Sequence, residues 1–159
     1  MPRQPVRASA SGQRQPTGLS CLAVYRASPL ERIGMIKRGV RAAEAKGLIA
    51  HLAIAQGAAL KALNLSQATV NKKAKQGQIL SQEEGERILG LAKLVGQVEA
   101  MVQESGKPEG FDAAAWVSRW LNEPLPALGG ERPINLMDTM EGQAVVSGEI
   151  ARIQGGAYA

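Results

Sequence analysis

Apolar residues recur at steps of three and four along most of this 159-residue chain, which is the spacing of helices that bury one face. One stripe in residues 31–56 includes Ala45, Leu48, Ile49 and Leu52. A second stripe includes Ile88, Leu91, Val95, Val98 and Val102. No useful stretch alternates apolar and polar residues, and aromatic residues make up only 3% of the chain. The sequence therefore predicts an all-α fold.

Residues typical of helix ends divide these stripes into elements. The first stripe is expected to break near Gly39 or Gly47 and to end at Gly57. Ser81 and Glu84 have the spacing of a capping box, so a long helix is predicted from there to about residue 104.

The sequence after this long helix predicts a linker and then a further helix. The segment SGKPEG, residues 105–110, is the predicted linker, and Asp112 is placed to cap the next helix. That helix carries Trp116 and Trp120, which are expected to pack in a core, and it should end before Pro124.

The segment AALKALNLSQATVNKKAKQGQ, residues 58–78, has the layout of two short helices joined by a tight turn. Asn64 suits the turn because asparagine tolerates a positive φ better than most residues. Leu65 is expected to fill the corner and Ser66 to cap the second helix. This arrangement predicts a Cro/repressor-like helix-turn-helix, whose second helix enters the major groove of DNA.

Polar side chains on and beside this second helix are the candidate DNA-binding residues. Amide and hydroxyl groups can read base edges or bind phosphates, and lysines bind phosphates. The set is Ser66, Gln67, Thr69, Asn71, Lys72, Lys73, Lys75 and Gln76. A helical hairpin with a solvated lysine face is the alternative interpretation.

Charge divides the chain into a basic N-terminal part and an acidic C-terminal part. Residues 1–46 hold nine Lys or Arg against two Glu, giving +7, and residues 47–80 hold four Lys and no acid, giving +4. Residues 81–159 hold six basic and twelve acidic residues, giving −6, so the net charge is +5. A polyanion is the expected partner of the basic N-terminal part, and a different partner is expected for the acidic C-terminal part.

Residues 1–30 are predicted to be a flexible basic tail, because they are rich in Arg, Ser, Gln and Pro without periodicity. An organellar transit peptide and initiation at Met35 are the other interpretations of this start.

The last part of the chain, which begins with ALGGERPINLMDTMEGQ at residues 127–143, predicts another small helical unit. Gly129 and Gly130 suit a sharp turn, and Pro133 suits the first position of a short helix. Asp138 and Glu141 have capping-box spacing for a final helix.

The C-terminal sequence resembles the C-terminal domain of the MbcA/ParS/Xre antitoxins. The shared elements are Trp120-Leu121, Ala127 to Gly130, Pro133 to Leu136, Thr139 to Gly142 and Arg152 to Gly155. The resemblance begins near Gly57. Lys72 and Lys73 stand where the family often has Arg, and Gly85 and Gly90 where Ser and Arg are expected.

The resemblance implies a bacterial type II antitoxin that forms homodimers, represses its own operon and pairs with a RES-domain toxin that degrades NAD. The C-terminal domain, residues 111–159, would block the toxin's active site, while residues 31–104 would bind operator DNA. The residues expected near the toxin are Arg152, Gly155, Gly156 and Tyr158. A stand-alone transcriptional regulator and an RNA-binding accessory protein are the alternatives.

Nothing in the sequence indicates catalysis, so no enzymatic activity, cofactor or metal is expected. One Cys and one His provide neither a metal cluster nor a nucleophile–base pair, and His51 is expected to be a packed or boundary residue rather than a ligand. The single Cys21 excludes an internal disulfide, which suits a cytoplasmic protein. The uncharged run at residues 47–60 is too short for a bilayer, so no membrane association is expected.

Overall fold

The computed structural model describes residues 18–156, and these are all-helical, as the sequence predicts. Within this range there is one isolated β-bridge, between Arg41 and Ile79, and no strand. Two short 3-10 helices, Pro126–Leu128 and Pro133–Leu136, precede the last α-helix. The α-helices are α1 Cys21–Arg26, α2 Pro29–Arg38, α3 Ala42–Ala50, α4 Gln56–Ala62, α5 Gln67–Lys75, α6 Gln82–Glu104, α7 Ala113–Leu121 and α8 Met140–Gln154.

Helix α6 is the central element of the fold. It begins at the predicted capping box: the Ser81 hydroxyl accepts a hydrogen bond from Glu84 N, and the Glu84 carboxylate accepts one from Ser81 N, both at 3.2 Å. The predicted stripe is buried, with Val102 partly so, but buried residues also lie on the other faces. Those additional positions include Leu89, Ala92, Leu94 and Gln97. Other elements therefore pack on several sides of the helix, whereas a single stripe predicts contact on one side.

The N-terminal helices α1 and α2 lie against α6 as a hairpin. Ser20 and Ser28 cap them, and Val24 is buried. The α1 backbone approaches α6 so closely that a Cβ added to Gly96 would overlap the carbonyl oxygen of Cys21. The prediction of a flexible tail through residue 30 is therefore wrong from residue 21 onward, because α1 is too short to show helical periodicity. Residues 1–17 lie outside the described part of the chain.

The first apolar stripe forms three helices. Gly39, with φ +89°, ends α2 as predicted, whereas Gly47 lies inside α3. The prediction that Gly57 ends a helix is wrong, because this residue lies in the first turn of α4. His51, predicted to be a packed or boundary residue, is the exposed residue that ends α3.

The C-terminal helices share one apolar core with the rest of the protein. Residues on both sides of the predicted linker, such as Leu91 and Trp120, belong to a single cluster of buried side chains. Helix α8 runs parallel to α6, since Gln97 is hydrogen-bonded to Ser147 and Gln154 to Glu104. No helix among residues 18–156 is long and apolar enough to cross a membrane.

The tight contact at Gly96 gives a test of the docking of α1. We expect Gly96→Ala to lower the free energy of unfolding by about 1–3 kcal/mol, because the new methyl group must displace the α1 backbone. Gly47→Ala is the control: nothing lies within 4 Å of a Cβ there, so that helix should gain about 0.5–1 kcal/mol. Urea unfolding of both variants measures the difference.

Cys21 provides an independent readout of the same contact. Burial, together with the nearby charge of Glu99, raises the pKa of Cys21 to about 11. The thiol should therefore react slowly with an alkylating reagent at pH 8, and faster in Gly96→Ala. Equal rates in the two proteins, with equal stability, would show that α1 does not dock as described.

Candidate functional site

The turn between α4 and α5 has the predicted geometry. Asn64 adopts φ +55°, the only positive φ of a non-glycine residue in the described chain. Leu65 is 6% exposed and its N–H donates to Leu60 O at 2.8 Å, so it fills the corner. The Ser66 hydroxyl accepts from Thr69 N at 3.3 Å and caps α5. The helix-turn-helix predicted from the sequence is thereby confirmed.

The candidate DNA-binding residues do not all lie free on the surface. Asn71 and Lys73 are half-buried. Asn71 Oδ1 accepts from Gln56 Nε2 on α4 at 3.3 Å, and Lys73 Nζ lies 3.5 Å from Glu84 Oε1. The exposed candidates are Ser66, Gln67, Thr69, Lys72, Lys75 and Gln76. Among these candidates, the exposed positive charges are those of Lys72 and Lys75.

Lys73 forms an ion pair with Glu84, a residue of the capping box at the start of α6. Burial opposes ionisation of Glu84, but hydrogen bonds from Ser81 and the charge of Lys73 together hold the pKa of this carboxyl below its usual value. The ion pair joins the end of α5 to the start of α6. Lys73 therefore has a structural partner that the sequence pattern did not reveal.

Arg87 on α6 supports the turn and was missed by sequence reasoning. Its Nε donates to Leu63 O at 2.7 Å and its Nη2 to Asn64 O at 3.3 Å, so the guanidinium pairs with two carbonyls of the turn that follows α4. The main-chain oxygen of Arg87 accepts from Gln143 Nε2 on α8 at 3.1 Å. No local signal marks this role, because the partners are main-chain atoms distant in sequence.

Gly90, one of the departures from the family pattern, makes this last contact possible. A Cβ at Gly90 would overlap the side-chain oxygen of Gln143. Gln143 is 8% exposed and also donates to Met137 O at 2.9 Å. Because Gly90 has no side chain, there is room for Gln143 to form a hydrogen bond from α8 to α6.

The start of α8 explains two elements of the C-terminal motif. Thr139 caps the helix, since its hydroxyl accepts from Gly142 N at 2.9 Å. The predicted cap at Asp138 is therefore wrong by one residue. Gly142 is required because a Cβ there would overlap Leu136 O. The Thr-x-x-Gly element consequently fixes α8 against the preceding 3-10 helix.

The Trp-Leu element is part of the core. The rings of Trp116 and Trp120 are stacked, with centroids 5.9 Å apart and planes 12° apart. Trp120 is 6% exposed and Leu121 is 2% exposed. These residues hold α7 in place, as the prediction of core packing requires.

The candidate toxin-facing residues lie at the end of α8. The Arg152 side chain is 63% exposed and its Nη1 lies 3.2 Å from Glu149 Oε1. The Glu149 side chain is only 7% exposed, and its Oε2 has no hydrogen-bond partner among the described residues. Gly155 and Gly156 end the helix, the latter at φ +70°. Tyr158 lies outside the described residues.

The two candidate surfaces lie at opposite ends of α6. Arg87 holds the helix-turn-helix near the start of α6, whereas Gln154 contacts Glu104 at its last residue. Seventeen residues of helix separate Arg87 from Glu104, which corresponds to about 25 Å along the axis. Two macromolecules can therefore approach the chain at separate places.

Comparison with known proteins agrees with this arrangement. Residues 31–93 match the antitoxin Xre-like helix-turn-helix domain, and residues 109–156 match the antitoxin Xre/MbcA/ParS C-terminal toxin-binding domain. A protein of Sphingobium sp. (strain YBL2), named Prs ADP-ribosylating antitoxin, is 62% identical over 137 residues, which are 86% of this chain and 86% of that protein. The resemblance found in the sequence is confirmed, and the chain belongs to the Xre/MbcA/ParS family of antitoxins.

Proposed function

We propose that this antitoxin inhibits a RES-type toxin that consumes NAD, and that it represses its own operon by binding DNA. The observation that carries the proposal is the separation of two unlike surfaces along α6. The helix-turn-helix belongs to an acid-free segment, residues 47–80, whereas the C-terminal unit belongs to the acidic part of the chain. Such a division suits one polyanionic partner and one protein partner.

The toxin surface is proposed at the end of α8. Arg152 projects into solvent there, and the two glycines after the helix carry no side chain that would keep a partner from the backbone. A segment of this kind can enter a concave active site and exclude the substrate. Arg152, Gly155, Gly156 and Tyr158 are the residues that we place near the toxin.

The chemistry of the toxin is proposed from the relative. Its name associates that protein with ADP-ribosylation of Prs. Transfer of ADP-ribose uses NAD as the donor and releases nicotinamide. At 62% identity over most of both chains, we infer that the toxin of this antitoxin also transfers ADP-ribose to a protein.

DNA binding is proposed for the exposed face of α5. Lys72 and Lys75 supply phosphate contacts, and Gln67 and Thr69 near the start of the helix are placed to meet base edges. Helix-turn-helix proteins commonly bind as dimers to two half-sites, about 34–36 Å apart. We therefore propose a homodimer on operator DNA.

The toxin proposal predicts a stable complex. The chain should co-purify with the product of the adjacent reading frame and should suppress both NAD loss and labelling of a target protein with ADP-ribose. Purified toxin, radiolabelled NAD and a cell extract provide the assay. If no complex forms and NAD loss is unchanged by the antitoxin, the proposal fails.

Arg152→Ala should weaken inhibition of the toxin, because it removes the exposed guanidinium. The substitution also leaves the buried Glu149 without its ion pair, so stability must be separated from binding. Glu149→Gln combined with Arg152→Ala removes the buried charge and should recover stability without recovering inhibition. Arg119→Ala, an exposed arginine on α7, is the matched control. Full inhibition by the Arg152 variants would place the contact elsewhere.

The lysines of α5 should differ in their effect on DNA binding. We expect Lys72→Ala with Lys75→Ala to weaken operator binding and to reduce the salt slope by about 2. Lys73→Ala should change the slope much less, because its charge is paired with Glu84. Fluorescence anisotropy across a salt series measures the slopes, with Lys107→Ala as the control. A larger effect of Lys73→Ala than of the pair would contradict this assignment.

A further inference from the structure

A groove between α2 and α8, floored by α6, encloses a cavity of about 320 Å³. Apolar side chains on all three helices line it: Ile36, Leu89, Leu94 and Met140. None of the residues assigned above to DNA or toxin is among its lining residues. Its volume lies at the lower end of the range of small-molecule sites, and its floor is recessed between two helices. A small ligand can therefore reach groups on this floor that the surface of a macromolecule would not contact.

Two cations lie at one end of the groove without an acidic partner. Arg32 on α2 and Lys93 on α6 are both half-buried, and burial together with the charge of the nearby Arg32 lowers the pKa of Lys93. No carboxylate in the described part of the chain lies within 4.0 Å of either cation. Glu86, which also lines the groove, precedes Lys93 by two helical turns, about 10 Å along α6. An anion bound between the two cations would remove their mutual repulsion.

The protein holds the Arg32 guanidinium in place while leaving part of it available. Its Nη1 donates to the carbonyl oxygens of Val24, Tyr25 and Ala27 at the end of α1. Its Nε and Nη2 make no hydrogen bond within residues 18–156. A guanidinium can bind a carboxylate through two such neighbouring donors with parallel hydrogen bonds. Because the side chain is already ordered, such binding costs less conformational entropy than binding by a free arginine.

A buried amide oxygen faces the same groove. Gln143 on α8 is 8% exposed, and its Nε2 donates to the main-chain oxygens of Arg87 and Met137. Its Oε1 accepts no hydrogen bond from the described residues and keeps some contact with solvent. This oxygen lies beside Gly90, which lines the groove about one turn of α6 before Lys93. A ligand whose negative charge reaches the two cations can therefore also donate a hydrogen bond to Gln143.

We propose that this groove binds a small apolar monocarboxylate that carries a hydrogen-bond donor. The carboxylate lies between Arg32 and Lys93, the apolar body covers Leu89, and the donor faces Gln143 Oε1. A single negative charge fits best, because two cations and the one carboxylate of Glu86 leave the lining residues with one excess positive charge. A dianionic phosphate would exceed that charge.

Such a ligand joins three elements of the fold. It contacts α2, α6 and α8 at once, so it stabilises the folded chain by an amount that increases with its concentration. The site shares no residue with the proposed DNA and toxin surfaces. The ligand therefore stabilises the antitoxin without occupying either surface.

Indole-3-acetate is a suitable probe because it combines a carboxylate, an apolar ring and an N–H donor. Titration of the nitrogen-15-labelled full chain should give saturable amide shifts in residues 32–36, 89–94 and 140–147. The uncharged methyl ester should bind about tenfold more weakly or less, because it cannot pair with the cations. 1-Methylindole-3-acetate, which has no N–H donor, should bind about threefold more weakly than indole-3-acetate.

Two pairs of variants separate the groove from other surfaces. Lys93→Gln should weaken binding of indole-3-acetate by about tenfold and leave the ester unaffected, whereas Lys37→Gln, at an exposed lysine of α2 outside the groove, should change neither. Ala144→Phe should block binding, because Ala144 is exposed on α8 and lines the groove. Val145→Phe is its control, since Val145 is 42% exposed but does not line the groove. Circular dichroism checks that each variant folds.

Saturating indole-3-acetate should also raise the thermal midpoint of unfolding of the wild type but not of Ala144→Phe. Equal binding of the acid and its ester, or shifts that persist in both Lys93→Gln and Ala144→Phe, would overturn the proposal. The absence of a saturable shift up to about 10 mM probe would overturn it as well. These measurements contain neither toxin nor DNA, so their outcome is independent of the proposed antitoxin function.

Discussion

Burial on several faces of α6 is the constraint on which the rest of the structure depends. Helices from both ends of the chain pack on it, and a single apolar core joins them. Eleven residues of the helix are buried, two of them glycines that lie against neighbouring elements. Because α6 contacts both the helix-turn-helix and the C-terminal unit, it fixes where these two units lie relative to each other.

A short series of hydrogen bonds connects the two units more specifically than apolar packing does. Arg87 binds the carbonyls of the turn with its side chain and accepts from Gln143 with its main chain. Gln143 in turn donates to Met137. Gln143 is buried and Arg87 is half-buried, and polar groups of this kind favour one arrangement over others because leaving them unpaired is costly. The position of α5 is thereby linked to the start of α8.

Sequence reasoning succeeded where a local chemical rule decides the structure. The capping box at Ser81, the positive φ of Asn64 and the cap at Asp112 each depend on residues only a few positions apart. It failed where the deciding partner is distant or the rule is ambiguous. Docking of α1 depends on Gly96, far along the chain, and Thr139 rather than Asp138 caps α8 although both residues can cap. The candidate site residues that the structure describes lie on or beside α5 and α8. The ion pair of Lys73 joins two helices and requires tertiary structure to be seen, whereas that of Arg152 with Glu149 lies within α8.

The central proposal is that two independent binding surfaces, one on α5 and one at the end of α8, lie at opposite ends of α6. Hydrogen exchange of the backbone amides, measured for the free chain, with operator DNA and with purified toxin, tests it most directly. We expect DNA to slow exchange in residues 66–76 and toxin to slow exchange in residues 149–156, with neither ligand producing the other's pattern. Protection of residues 66–76 by the toxin, without any change at the end of α8, would contradict the account.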